Sequence, residues 1–183
     1  MDPGWDRYTF HNILHTQLVV DKAKEWSSAC KLNEQDSIAL KLAAWYHDIG
    51  YLNEPDNHEE ESIRLFLLSI QKETLPPEMT DMVVQLIRST KQKDTEKRNE
   101  LENMIHDMDR VAMGMTNFME WGQKLRTEWK NLRNAEWTDK DWIRFQIEYL
   151  NMTHFKTDHG RQTYGAQKAL NLQELKNVLG SLT

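Results

Sequence analysis

Several ionisable side chains sit where the surrounding pattern is apolar. His15 shares a helical stripe with Val19, Ala23, Trp26 and Cys30, and His47 and Asp48 follow the apolar run "SIALKLAAWY". Further along, "NMIHDMDRVAMG" carries Asp107 and Asp109 on opposite margins of a face set by Leu101, Ile105, Met108 and Ala112. A His–Asp pair on its own is equally consistent with a satisfied core histidine beside an aspartate that caps the next turn. Three separate segments that each offer a group costly to bury unpaired point to a shared partner. Neutral imidazoles with carboxylates suit a divalent ion of the Mn, Fe, Co, Ni or Zn type, with Mg also admissible, because its charge compensates the buried carboxylates. Periodicity alone leaves open which of Asp107 and Asp109 faces the others.

Such groups need rigid supports, and the chain supplies helices. Seven Gly, four Pro and apolar residues at three- and four-residue spacing predict an all-α chain. The first helix is expected from about Asn12 to Lys31. A second, N-capped by Asn33 with Asp36 three residues on, runs to about His47 and ends before Gly50. It is apolar nearly all round, which predicts a central position. An acidic loop, "LNEPDNHEEE", leads to a third helix with Glu59, Glu60 and Glu61 in its first turn. Pro77 opens a fourth helix reading "EMTDMVVQLIRSTK", and a charged segment leads to a fifth, "RNELENMIHDMDRVAMG". Thr116 and Thr138 are candidate N-caps for helices over 117–133 and 139–151; "NMTHFKTDHG" reads as a loop before a last helix to about Val178. The expectation is a single compact helical bundle of seven or eight helices over 1–183, with a core at about 8–115 and a C-terminal helical extension at about 116–178.

Composition excludes several functions. A net charge of −6 over 183 residues gives no general attraction for nucleic acid or anionic membranes, so an anionic substrate must be captured locally. Trp121, Trp129, Trp137 and Trp142 recur without basic interleaving, which favours core filling over base stacking. Cys30 is the single cysteine, cannot form an internal disulfide and suits a reducing compartment. "MDPGWDRYTF" lacks the marks of a signal peptide and no segment approaches the roughly 20 apolar residues of a membrane span, so a cytoplasmic location is expected. His11 and His15 form the HxxxH half of a zinc-protease motif, but Asn12 stands where that motif needs a glutamate base. His11 is left either to contact substrate or to cap its own helix.

The ordered segments "FHNILHTQLVV", "AAWYHDIGY", "HEEES", "LIRSTK" and "DMDR", with the tail "FQIEYLNMTHF", resemble the HD-domain metal-dependent phosphohydrolases, in particular small stand-alone members. The resemblance spans roughly residues 8–175. It implies that His15, His47 and Asp48 ligate the metal together with Asp109, which is followed by Arg110 in the family's Asp-Arg manner; Asp107 is the alternate. It further implies that His58 and Glu59 line the cleft. There His58 would serve as leaving-group acid or complete a second metal site, and Glu59 would reach a metal-bound water. Arg88, Lys91 and Arg110 are the cations available to a phosphate, Lys91 first among them because "STK" matches the family segment. Tyr149, His154 and His159 belong to the tail and read chiefly as surface or packing residues.

The implied activity is hydrolysis of a phosphoester in a nucleotide or other small phosphorylated metabolite, with Asp48 orienting or deprotonating the attacking water. Tyr51 stands where cyclic-dinucleotide phosphodiesterases of the family carry lysine, and "IGYLN" lacks the acidic pair of the alarmone hydrolases. A different class is a non-catalytic HD-fold module that senses a nucleotide or other ligand without turnover, and a third is a purely structural helical protein without metal. A homodimer is one assembly the sequence allows.

Overall fold

The computed structural model describes residues 7–72, 75–91 and 98–182. These form eight α-helices and no strand: α1 (Ile13–Ala29), α2 (Glu34–Tyr46), α3 (His58–Ser69), α4 (Pro77–Thr90), α5 (Glu100–Asp109), α6 (Phe118–Arg133), α7 (Asp139–Met152) and α8 (Asp158–Ser181). The readings of the N-terminal residues 1–6 and of the charged run 92–97 fall outside the described residues. The chain is thus all-α, as the spacing predicts, and none of the described helices is long and apolar enough to cross a membrane.

Local chemistry sets several helix ends. The Asn33 side chain accepts the Asp36 N–H at the start of α2, and Thr138 accepts the Asp141 N–H at the start of α7. Thr157 does the same for Gly160, which begins α8 inside the segment expected to be a loop. At the start of α6 the N-cap position belongs to Asn117 and carries no side-chain cap bond, so Thr116 is not the cap. Helix α1 stops at Ala29, earlier than expected, because Lys31 adopts a left-handed φ of 53° and the Leu32 N–H reaches back to the Ser27 carbonyl.

The contacts divide the described chain into two compact units, residues 13–109 and residues 7–12 with 110–182. In the first, α2 packs against α1, α3, α4 and α5. Its Ala39, Leu40, Ala43 and Ala44 are buried against that surround, while Ile38 and Trp45 face solvent despite the apolar pattern. The three alanines beside Leu40 on the inner face let the surrounding helices approach α2 closely.

In the second unit, α8 packs on α7 and on the 3-10 turn Val111–Gly114. Asn171, buried on α8, donates to the carbonyls of Met113 and Met115 at 3.0 and 2.8 Å and so satisfies the end of that turn. Residues 9–11 lie along α6. The Thr9 hydroxyl donates to the Lys124 carbonyl at 2.6 Å, and the fully buried Glu128 accepts the Phe10 and His11 N–H groups at 2.8 and 2.9 Å. The His11 ring adds a third contact through Nδ1 to the other Glu128 oxygen.

Candidate metal centre

The C-terminal end of α2 carries the central pair. His47 is fully buried, and its Nδ1–H donates to the Ala44 carbonyl at 3.0 Å. That bond fixes the neutral tautomer, so Nε2 presents a lone pair. This lone pair faces Asp48 Oδ2 at 3.1 Å, Asp109 Oδ1 at 3.5 Å and His15 Nε2 at 3.3 Å. His15 comes from the inner face of α1 and lies 3.2 Å from Asp48 Oδ2 and 3.1 Å from Asp109 Oδ1.

Acceptor atoms crowded in this way repel one another unless a positive charge sits among them. One ligand atom from each of His15, His47, Asp48 and Asp109 lies within 4.8 Å of all the others. Separations of 3.1–3.5 Å along the contacts just given are those of neighbouring ligands around one ion with bonds of about 2.1 Å. The donor set therefore fits a divalent cation. With protons in place of a cation, burial opposes charging of His15, yet its hydrogen bonds to Asp109 and Asp48 and their charges outweigh that penalty and raise its pKa. Burial likewise opposes charging of His47, and the adjacent Asp48 charge, followed by the Asp109 contact, drives its pKa well above the usual imidazole range.

Of the two aspartates left open by periodicity, Asp109 at the end of α5 joins the cluster. Asp107 is completely buried elsewhere, 3.6 Å from the ring of the equally buried His106.

The other face of Asp48 turns to α3. His58 Nε2 lies 3.5 Å from Asp48 Oδ1 and 3.5 Å from Glu59 Oε1. The His58 Nδ1–H donates to the Pro55 carbonyl at 3.0 Å, and the ring meets the buried Tyr51 edge-on, so its orientation is supported from two sides. Gly50 makes this approach available. A methyl group there would overlap the His58 carbonyl and the Ser62 amide, while the Gly50 N–H donates to Ser62 Oγ at 2.9 Å.

The candidate cations divide. Arg88 is exposed and forks onto Glu60 at 3.0 and 3.3 Å, an ion pair that pulls the Glu60 carboxyl below its ordinary pKa. Lys91, at the end of α4, donates to Asn57 Oδ1 at 2.6 Å. Arg110 is buried and belongs to the unit of residues 110–182, as does His11, whose ring is engaged by Glu128. The sequence reading passes over Glu128, although Phe118, Trp121, Leu125 and Glu128 share one helical stripe and so mark a carboxylate on an inward face. Asn57, exposed in an acidic loop, carries no such mark in the sequence.

Residues 12–114, more than half of the chain, match the family described as HD domain. The chain belongs to the HD-domain family, a superfamily of metal-dependent phosphohydrolases, and all four residues of the cluster lie inside the matched region. No curated protein and no solved structure matches it.

Proposed function

We propose that the protein is a hydrolase of small phosphoesters, with nucleotides the leading substrate class, and that His15, His47, Asp48 and Asp109 hold its divalent ion. The observation that carries this reading is the convergence of those four donors from α1, the end of α2 and the end of α5 onto one point. Such an ion, when bound, supplies Lewis acidity toward a phosphoryl oxygen and toward water.

The chain's own residues do the rest. Asp48 orients the attacking water and accepts its proton, since its carboxylate spans the cluster through Oδ2 and the His58 side through Oδ1. His58, whose Nδ1–H is committed to Pro55, holds and delivers a proton at Nε2 to the leaving oxygen. Glu59, buried beside it with Oε1 3.5 Å from Nε2, helps to hold the orientation of the ring. Lys91 offsets charge on the oxygens that are not attacked. Arg88 already has its charge answered by Glu60 and contributes less.

The test is elemental analysis of the purified protein, then a screen of phosphoesters and nucleotides with Mn or Mg added. Metal near one equivalent and hydrolysis that His47→Ala and Asp48→Ala both abolish are expected. Full activity and metal content in those variants would overturn the reading. Nucleotide binding with no turnover under any metal would favour a sensing module instead.

A further inference from the structure

The N-cap residue of α3 is Asn57, yet its side chain makes no cap bond. Its carbonyl oxygen instead accepts Lys91 Nζ at 2.6 Å, from the far end of α4 and 34 residues away in sequence. The next residue is His58, whose ring faces Asp48. A lysine ammonium is thus moored one residue from the proposed leaving-group acid.

The choice of acceptor matters. Arg64 and Arg88 on the same unit each bond a carboxylate, Glu61 at 2.6 Å and Glu60 at 3.0 Å, and the Arg64 pair pulls the Glu61 carboxyl down to about 2. Both guanidinium charges are answered by the protein itself. Asn57 is neutral, so the mooring itself orders the long Lys91 stem without cancelling its charge; the Glu60 carboxylate lies within Coulombic reach of Lys91 but is hydrogen-bonded by Arg88. An ammonium has three N–H donors, and one bond to the amide oxygen leaves the others for an anion. Ordering a flexible side chain before the ligand arrives lowers the entropy lost on binding.

We infer that Asn57 is a positioning residue that moors Lys91 as a charged phosphate receptor beside His58, and that its neutrality sets the affinity of the site for the phosphoryl group. This rests on the function proposed above and assigns Asn57 a role in it.

The probe is inorganic phosphate, titrated calorimetrically into the full chain with and without Mn, alongside KM and kcat for any substrate the screen yields. Lys91→Met should weaken phosphate binding about tenfold or more, the usual worth of a hydrogen bond to a charged group. Asn57→Asp, which answers the ammonium with a carboxylate, should weaken phosphate binding and raise KM while leaving kcat and Mn content near wild type. Asn53→Asp places the same charge on the same loop without touching Lys91 and serves as the control. The decisive comparison is the double variant. If Asn57 acts through Lys91, the uncharged Asn57→Ala, which adds no carboxylate to repel phosphate directly, weakens binding in the wild-type background and costs nothing further in the Lys91→Met background. Additive effects, equal effects of Asn57→Asp and Asn53→Asp, or no phosphate binding by the wild type would each overturn the inference. Failure of the metal reading shows separately, as absence of Mn retention in the wild type.

Discussion

Glu128 offers a quantitative test of how the second unit is held together. Its carboxylate, wholly buried on α6, accepts from the Phe10 N–H, the His11 N–H and the His11 ring, and Glu128→Ala removes the acceptor of all three bonds at once. A buried donor left unsatisfied costs about 1–3 kcal/mol. The donors here are only part-buried, so the lower end applies and the total is about 3 kcal/mol. At about 2–4 °C per kcal/mol for a chain of this size, the midpoint of thermal unfolding should fall by about 6–12 °C.

The readout is urea unfolding followed by tryptophan fluorescence, to which Trp121, Trp129, Trp137 and Trp142 of the same unit contribute, with the midpoint falling at constant slope. The pH dependence has a definite sign. Burial disfavours the ionised carboxylate, but the His11 contact and the two backbone N–H groups outweigh it and hold the Glu128 pKa below the ordinary glutamate value of 4.5. A depressed carboxyl contributes stability that is present above 4.5 and lost as pH falls through its lower folded value. Glu128→Gln should therefore narrow the stability gap to wild type in acid. A loss under about 1 kcal/mol for Glu128→Ala, or an unchanged gap between pH 7 and acid, would refute the reasoning.

Asp109→Asn should abolish metal retention, whereas Asp107→Asn should leave metal content intact and lower the unfolding midpoint, as elemental analysis and denaturant titration will show. Metal uptake by chelator-treated protein should release protons, because the raised pKa values of His15 and His47 keep protons in the empty cluster. Apparent affinity should accordingly rise with pH through and above the ordinary imidazole value of 6.5, measurable by calorimetry in buffers of different ionisation enthalpy. Gly50→Ala should cost about 1–3 kcal/mol through overpacking against α3 and should also impair turnover, since the backbone it displaces belongs to His58. Wild-type turnover in a folded Gly50→Ala protein would show that His58 is not needed where the structure places it.

Local rules carried much of the fold. The caps at Asn33 and Thr138 were legible because an Asx or Thr side chain bonds an N–H three residues on, a contact that needs no distant partner. The all-α class was likewise set by periodicity, while the order His15, His47, Asp48 and then an aspartate of "HDMDR", Asp109 ahead of Asp107, came from the resemblance to the HD-domain family. What depends on residues far apart in sequence was not. Asp107 and Asp109 straddle the same helical face, and only the approach of α1 and the end of α2 to the last turn of α5 brings one of them to the cluster. The sequence leaves His11 either to contact substrate or to cap its own helix, and its ring is engaged instead by Glu128, 117 residues distant. Arg88 and Lys91 lie three residues apart on α4 and read alike, yet one is neutralised by a carboxylate and the other moored to an amide. Composition and periodicity fix which side chains are costly to bury and on which helix each stands. Tertiary structure alone decided which of them meet, because hydrogen bonds and ion pairs act over a few ångströms and helix periodicity carries no record of what crosses that distance.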